Sequence, residues 1–329
     1  MTISEIAKLA GVSSSAVSRF LNGGSLSEEK RIRIGKVVEE QNYVPSTFAR
    51  SLRTKKSNQI GVIVPKIDSE AVPRIISGIS EVLNRKGYQF FLANTNNDYM
   101  EELKYIDAFQ KTHFDGIILL ATVITKAHRE MIEKSKIPIV VVGEDVPKCS
   151  CVFHDDKHAA YDLTTMLIRN GCRRFGYLSV TEKDKAVGLA RTKGFLGALE
   201  DNGFTEEDYV RQETGFSMEE GKEAMARLLD QAPDVDGVFC ATDNIAIGAM
   251  MELKQRKIAI PDQVKICGIG DNRVSNIIEP KLTTVHFYYD NSGHEAANML
   301  LNMIQKKEDE RSPVKRVMLS YELVRKETL

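Results

Sequence analysis

The sequence has few cysteines and no long apolar run. The cysteines number five, and the closest two, Cys149 and Cys151, lack the two-residue spacing of a redox or zinc motif. A reduced cytoplasm therefore fits the chain best. The longest apolar runs, such as 137–143, are far too short to span a bilayer. The N-terminus predicts a capped helix in place of a signal peptide, so we expect neither a leader nor a membrane partner.

Catalytic and cofactor motifs are also missing. No Ser/His/Asp arrangement has local support, and the Gly-Ile-Gly at 268–270 is only a fragment of a nucleotide-binding fingerprint. His154 and His158 flank two carboxylates and would suit a metal ion. The alternative is that these carboxylates, Asp155 and Asp156, cap the helix that follows. We expect the capping role, no metal, no cofactor and no enzymatic activity.

Length and charge indicate about two domains with an appendage. A chain of 329 residues, 42% of them hydrophobic, supports a sizeable core. The net charge of −1 hides an asymmetry, because residues 1–57 hold ten lysines and arginines against five acidic residues, while the remainder holds 35 against 41. A basic N-terminal segment on an acidic body is typical of a chain whose head contacts DNA.

Residues 2–22 predict two short helices joined by a tight turn. Thr2 is a helix N-cap, and Glu5 completes a capping box. Gly11 permits the left-handed conformation that ends a helix, and Ser13 caps the second helix. The outer face of the second helix carries hydrogen-bonding side chains: Ser14, Ser15, Ser18, Arg19 and Asn22.

A helix-turn-helix places such a face in the DNA major groove, although a capped helical hairpin also occurs in proteins that bind no DNA. The excess of basic residues in the same segment favours the DNA-binding alternative. Arg19 is the best candidate for reading a guanine edge. Ser14 and Ser15 are short, which suggests few base contacts and more specificity from DNA deformation.

A third helix and a possible hinge follow. The pattern predicts a helix from about 28 to 41 with Ser27 as its cap, and Pro45 then breaks the chain. Residues 46–52 can form one short helix, which is marginal alone in water. The alternative for 46–57 is a plain linker.

From Gln59 onward, apolar runs of strand length alternate with amphipathic helical stretches. Near-continuous apolar runs predict parallel strands that are covered on both faces, and two successive repeats predict two similar doubly wound lobes. The predicted strands are 60–64, 89–93, 116–121, 139–142, 175–180, 210–214, 238–241 and 264–268, followed by 282–289, a helix near 291–305 and strand-like segments at 314–319 and 321–324.

A ligand site is expected where the carboxyl ends of the strands of both lobes face each other. The polar and aromatic residues at those positions form the predicted effector site: Pro65, Lys66, Ser69, Glu144, Arg191, Thr242, Asp243, Asp271, Phe287 and Tyr289.

The pattern AxxAGVSxxxVSRxLN at the N-terminus, followed by YVPSTFARSL at 43–52, closely resembles the LacI/GalR family of bacterial transcription regulators. The resemblance covers the whole chain. It implies a small all-α helix-turn-helix head at 1–45, a hinge helix and linker at 46–57, and an α/β periplasmic-binding-protein-like core of two doubly wound lobes at 58–329. The N-lobe would comprise about 58–156 and 288–317, and the C-lobe about 157–287 and 318–329. Three strands would cross between the lobes.

The resemblance also implies a homodimer on a palindromic operator in double-stranded DNA. Leu52 matches the family's apolar wedge, which enters the minor groove and kinks the duplex, and Ala49 would lie beside it. The implied DNA-binding residues are Thr2, Ser13, Ser14, Ser15, Ser18, Arg19, Asn22, Ala49, Leu52 and Lys55.

For the effector, the resemblance implies that Arg191 grips sugar hydroxyls or a charged group. Thr242 and Asp243 would form a polar pair that reaches the ligand or holds its neighbours, and Phe287 and Tyr289 would stack on the apolar face of a sugar.

The chain departs from the family at one position of this site. Gly270 stands where relatives carry a sugar-binding aspartate, so either Asp271 takes over or the pocket is less acidic there. Lys66 with Arg191 would suit a phosphorylated sugar. The alternative is that Lys66 is simply an exposed lysine.

The stretches 64–70, 240–249 and 282–289 are most similar to regulators of disaccharide uptake, such as trehalose and sucrose operon repressors. We therefore expect a repressor of a carbohydrate-utilisation operon, controlled by trehalose, sucrose or a 6-phosphate of either. The alternatives are a global carbon-catabolite regulator that works with a phosphoprotein corepressor, a solute-binding protein that does not bind DNA, and a sugar-converting enzyme.

Overall fold

The computed structural model describes residues 1–21, 23–41, 43, 56–306 and 313–329. The chain divides into two compact units, Met1–Asn58 and Gln59–Leu329. The finer division into head, hinge and lobes stays a prediction. Within the described ranges, no helix is both long and apolar enough to cross a membrane.

The first unit contains three helices around a small apolar core. The capping box at Thr2 and Glu5 and the left-handed Gly11, with φ of 62°, are both present as predicted. Ser27 stands at the N-cap of the third helix as predicted. Its side chain makes no capping hydrogen bond with any described residue, so the prediction was right about the position and wrong about the hydrogen bond. The helices are α1 (Ile3–Ala10), α2 (Ser14–Leu21) and α3 (Glu28–Glu40), and Ile6, Val17 and Ile34 are fully buried between them.

The second unit alternates strands and helices, as the apolar pattern predicts. In chain order its elements are β1 (Gln59–Val64), α4 (Ala71–Arg85), β2 (Gln89–Asn94), α5 (Tyr99–Lys111), β3 (Gly116–Leu120), α6 (Lys126–Lys134), β4 (Ile139–Val142), β5 (Cys151–His154), α7 (Asp156–Arg169), β6 (Phe175–Ser179), a π-helical turn (Lys185–Ala190), α8 (Arg191–Asp201), β7 (Tyr209–Glu213), α9 (Met218–Gln231), β8 (Gly237–Cys240), α10 (Asp243–Gln255), β9 (Lys265–Cys267), β10 (Thr284–Phe287), α11 (Tyr289–Gln305), β11 (Arg316–Leu319) and β12 (Tyr321–Val324).

These strands form two parallel sheets and one antiparallel pair. A six-stranded sheet has the order β11-β5-β4-β3-β1-β2, a four-stranded sheet has the order β7-β6-β8-β9, and β10 pairs with β12. In the larger sheet, Ile60 lies opposite Gly116 and Ile117 lies opposite Ile139. Every residue of β3 is buried, because helices cover both faces of the sheet.

The chain passes between the two sheets three times. It leaves the larger sheet after β5 and enters α7, which packs on the smaller sheet. It returns from β10 to α11, and it crosses once more between β11 and β12. These crossings place the carboxyl ends of both sets of parallel strands on either side of one space.

Glycine permits a close contact between two helices of the second unit. A Cβ atom on Gly78 of α4 would overlap the carbonyl oxygen of Asp290 in α11, and one on Gly293 would overlap the carbonyl oxygen of Ile75. The two helix backbones therefore touch, and α11 is held firmly against the larger sheet after the crossing.

Candidate functional site

The first unit presents the predicted polar face of α2. Ser13, Ser14, Ser15 and Arg19 are exposed, while Ala16 and Val17 on the opposite side are buried. The Ser13 hydroxyl caps the helix by accepting a hydrogen bond from the backbone nitrogen of Ala16 at 3.3 Å. The face that would enter a major groove is thus held by the buried side of the same helix.

Two contacts orient this face. The Nε atom of Arg19 donates to the Ser15 carbonyl at 3.4 Å, so the side chain lies along its own helix. Arg33 of α3 donates from Nη2 to the carbonyls of Ala10 and Gly11 at 2.6 and 2.9 Å, which ties α3 to the turn between α1 and α2. Sequence reasoning missed Arg33, because its partners lie on another helix.

Of the remaining predicted DNA-binding residues, the structure describes Thr2 and Ser18. Thr2 is exposed and engaged in its capping box, and Ser18 is half-buried. Asn22, Ala49, Leu52 and Lys55 lie outside the described residues.

In the second unit, a cavity of about 460 Å³ lies between the carboxyl ends of the two parallel sheets. Its size and its mixture of apolar walls and polar groups are typical of a small-molecule site. Seven predicted residues line it: Pro65, Lys66, Ser69, Arg191, Thr242, Asp243 and Tyr289. Glu144, Asp271 and Phe287 do not line it.

Arg191 is buried in the cavity wall and already paired. Its Nε and Nη2 atoms lie 2.8 and 2.7 Å from the carboxylate of Asp156. Its Nη1 atom donates to the carbonyl of Ala241, and the guanidinium lies 5.5 Å from the ring centroid of Phe287. The positive charge is therefore neutralised within the protein before any ligand arrives.

The carboxylates predicted to cap the helix after β5 have separate roles. The Asp155 carboxylate caps α7 and also accepts from the Nδ1 atom of His158 at 2.8 Å, whereas Asp156 is the first residue of α7 and faces Arg191. The capping prediction was right for Asp155 and wrong for Asp156, because the buried guanidinium takes the second carboxylate. Across the described residues, no group of histidine, cysteine and acidic side chains has the arrangement of a metal site.

Asp243 organises the loop that contains Gly270. Its Oδ1 atom accepts from the Thr284 hydroxyl at 2.6 Å, and its Oδ2 atom accepts from the backbone nitrogen of Asn272 at 2.9 Å. Burial raises the pKa of Asp243 to about 6 in spite of these hydrogen bonds. Thr242 caps α10, with its hydroxyl accepting from the nitrogen of Ile245 at 3.4 Å. Both residues hold their neighbours in place.

Asp271 does not take the place of the missing aspartate. Its carboxylate lies 2.9 Å from the Nζ atom of Lys326 and 3.0 Å from the Nδ1 atom of His286. Although burial alone would raise it, hydrogen bonds from these two partners hold the pKa of Asp271 below its usual value. Asp271 does not line the cavity, because its carboxylate faces Lys326 and His286, so the alternative of a pocket that is less acidic at this position fits the structure better.

Glu144 and Phe287 are buried behind the site. The Oε2 atom of Glu144 accepts from the nitrogen of Ile124 at 3.1 Å. Burial raises the pKa of Glu144 to about 7, and the nearby charge of Asp184 contributes in the same direction. Phe287 is 1% exposed and stacks on His154 with ring centroids 4.6 Å apart, so its faces are already covered.

Several cavity residues escaped the sequence reasoning. Asn97 and Thr122 follow β2 and β3, so the strand-end rule applied to those strands would have found them. Asp184 lies just before the π-helical turn, where no simple periodicity signals a site. Arg74 stands behind the lining, where it lies 5.0 Å over the ring of Tyr289 and donates to the Gly270 carbonyl at 3.3 Å.

Comparison with known proteins agrees with both units. A family model described as bacterial regulatory proteins of the lacI family matches residues 2–46, and one described as a periplasmic binding protein-like domain matches residues 164–329. The sucrose operon repressor of Staphylococcus xylosus is 33% identical over 303 residues, which cover 92% of this chain and 93% of that protein.

Two further proteins are similar over most of the chain. Catabolite control protein A of Priestia megaterium is 28% identical over 288 residues, covering 87% of each. The structure of the transcriptional regulator CelR in complex with cellobiose is 26% identical, has a TM-score of 0.76 and covers 100% of this chain and 99% of that one. The chain therefore belongs to the LacI family, as a DNA-binding transcriptional repressor with a periplasmic-binding-protein-like ligand domain and no enzymatic role.

Proposed function

We propose that this repressor controls a carbohydrate-utilisation operon and that a small sugar or sugar phosphate in the cavity sets its affinity for the operator. The observation that carries the proposal is the cavity itself, which is about 460 Å³ and has the buried Arg191 and Asp243 in its walls. Similarity to a sucrose operon repressor, and to a regulator complexed with cellobiose, supports a disaccharide such as sucrose or trehalose or its 6-phosphate.

DNA recognition is proposed to use the polar face of α2, with Arg19 on a base edge and the serines around it on phosphates or bases. Ala49, Leu52 and Lys55 are proposed to act in the minor groove, and Leu52 as the wedge. The domain boundaries predicted from the sequence are part of this proposal.

The repressor is proposed to act as a homodimer on a palindromic operator. Four exposed apolar side chains of the second unit are candidates for an interface: Phe91 and Leu92 on the edge strand β2, Met251 on α10, and Ile277 between β9 and β10. Ile277 is 75% exposed, the largest exposed fraction of these four side chains. Sedimentation of the purified chain would give the mass of the assembly directly.

Control of DNA binding is proposed to be a population shift. A ligand that contacts both walls of the cavity favours one arrangement of the lobes, and the three crossing segments transmit that arrangement to the dimer. Whether the ligand weakens or strengthens operator binding depends on which arrangement it favours, and either sign uses the same cavity.

The test is fluorescence anisotropy of a labelled duplex from the protein's own promoter. Sucrose, trehalose and their 6-phosphates are titrated at fixed salt, because phosphate contacts make affinity depend on salt. Release or tightening by one sugar would support the proposal and give the sign of the control. Operator binding that no sugar changes would contradict the disaccharide effector.

A second candidate is a global carbon-catabolite regulator that needs a phosphoprotein corepressor. The similarity to catabolite control protein A favours it. In the same assay, this candidate predicts weak operator binding by the chain alone and tight binding only after a phosphorylated partner protein is added.

A further inference from the structure

The charges that line the cavity do not match an anionic ligand. Among the described residues, its lining contains two cationic side chains, Lys66 and Arg191, and four carboxylates. The carboxylates belong to Glu70, Asp184, Glu220 and Asp243. A phosphate placed here would face an excess of like charge at short range.

One of these cations is firmly paired inside the protein, and the other is exposed to solvent. Arg191 is bound to the buried Asp156 at 2.7 Å. The Lys66 side chain is 51% exposed, with its Nζ atom 3.3 Å from Asp68, so solvent screens its charge. Recognition of a phosphate normally uses arginine or lysine groups that are free to donate to it.

Glu70 and Glu220 are exposed, whereas Asp184 and Asp243 are the buried carboxylates of the lining, and of these two Asp184 is better placed to accept hydrogen bonds. Its Oδ1 atom accepts from the backbone nitrogens of Ala186 and Val187 at 3.0 and 2.8 Å. Its Oδ2 atom makes no hydrogen bond with any residue in the described part of the chain. By contrast, both oxygens of Asp243 are occupied by protein donors. Asp184 is 5% exposed, so the helix start holds a nearly dehydrated acceptor in the wall.

We infer that the effector is an uncharged polyhydroxy compound and that Asp184 accepts hydrogen bonds from its hydroxyl groups. A carboxylate oxygen accepts from a hydroxyl without requiring any charge on the ligand. Val187, Ile269 and Tyr289 supply apolar surface for the carbon face of such a compound. The inference rests on the proposed sugar effector and selects the unphosphorylated form, with Asp184 in place of the aspartate that is missing at Gly270.

The charge of the ligand is tested on the unaltered full-length chain by isothermal titration calorimetry. The probes are sucrose with sucrose 6-phosphate, trehalose with trehalose 6-phosphate, cellobiose, and glucosamine as a cation. We expect an uncharged sugar to bind at least about tenfold more tightly than its own 6-phosphate. Tighter binding of a 6-phosphate, or of glucosamine, would overturn the inference and leave a sugar-controlled repressor standing. Binding of no probe would overturn the inference together with the sugar effector.

The role of Asp184 is tested with Asp184→Asn, which keeps an oxygen for the two backbone nitrogens. We expect the uncharged sugar to bind at least about tenfold more weakly and its preference over the 6-phosphate to shrink, because one negative charge is gone. The matched control is Glu182→Gln, which removes a nearby charge that pairs with Arg211 outside the lining. Unchanged affinity and unchanged preference in Asp184→Asn would overturn the assignment. Operator binding by each variant checks that it is folded.

Discussion

The guanidinium of Arg191 and the carboxylate of Asp156 form a buried pair, with nitrogen atoms 2.7 and 2.8 Å from one oxygen. Arg191 begins α8, Asp156 begins α7, and a further hydrogen bond from Arg191 reaches Ala241 just after β8. One side chain therefore joins the starts of two helices to the end of a strand at the floor of the cavity.

Removal of Asp156 tests how much this pair matters to the fold. We expect Asp156→Ala to lower the free energy of unfolding by about 3–5 kcal/mol, because it leaves a buried charge without a partner. The control is Glu182→Ala, whose pair with Arg211 is partly exposed and should contribute at most about 1 kcal/mol. Urea unfolding measures both, and similar losses in the two variants would contradict the buried-pair argument.

Glu144→Gln tests the cost of a buried ionised carboxyl group. The substitution keeps an oxygen for the Ile124 nitrogen. Because burial raises the folded-state pKa of Glu144 to about 7, its ionised form destabilises the native state above that pH. We expect the variant to be roughly 2–3 kcal/mol more stable than the unaltered protein at about pH 8.

The difference in stability between the unaltered protein and Glu144→Gln should also change with pH, in a direction that the raised pKa of Glu144 sets. As the pH falls from 7 toward 4.5, Glu144 becomes protonated in the folded state first, so the advantage of Glu144→Gln must shrink. The pKa of Glu144 also responds to the charges of Asp184, Arg129 and Lys185, and these residues are present in both proteins. His154, whose pKa burial lowers to about 4, titrates in both and cancels in the difference. Thermal unfolding of both proteins at several pH values measures this advantage, and an advantage that stays constant with pH would contradict the prediction.

Gly270→Asp introduces the aspartate that the resemblance to the family implies at this position, and we expect it to destabilise the fold without improving sugar binding. The backbone has φ of 146°, which side chains rarely adopt, and a Cβ atom would lie 3.6 Å from the Asp243 carboxylate carbon. We expect a loss of about 1–3 kcal/mol in unfolding free energy, and no tighter sugar binding. Gly87→Asp is the control, because Gly87 has φ of 72° with open space around it. A gain in sugar affinity would contradict the prediction.

Arg19→Ala should weaken operator binding by about 1–3 kcal/mol and relax sequence preference, since a base contact is lost. The control is Lys36→Ala on α3, a side chain that is 75% exposed and pairs with Glu40. Anisotropy titrations on operator and random duplexes separate the two effects. An equal loss on both duplexes would assign Arg19 to phosphate contact.

Leu52→Ala should weaken binding to the operator far more than binding to random DNA, because a wedge contributes only where the duplex is kinked. The same two duplexes measure it at fixed salt. Equal losses on the two would reject the wedge assignment.

The sequence by itself determined the helical head and the order of strands and helices. The capping box at Thr2 and Glu5 spans three residues, so local chemistry settles it. Near-continuous apolar runs such as 139–142 are typical of strands in a covered parallel sheet, and this strand appears where predicted. The short strand Cys151–His154 was missed, because four residues that end in a histidine carry too little apolar pattern to indicate a strand, even though it pairs with the nearby β4 as well as with β11.

The cavity was foreseen in part, since strand ends located Pro65, Lys66 and Thr242 without any tertiary knowledge. Only the tertiary structure decided which charged side chains of the cavity remain available to a ligand. The pairing of Arg191 with Asp156 and the turn at Gly270 that sends Asp271 toward Lys326 depend on residues distant in sequence. Periodicity reports which face of an element is buried, whereas the direction and partner of a polar side chain are set by whatever the fold brings beside it.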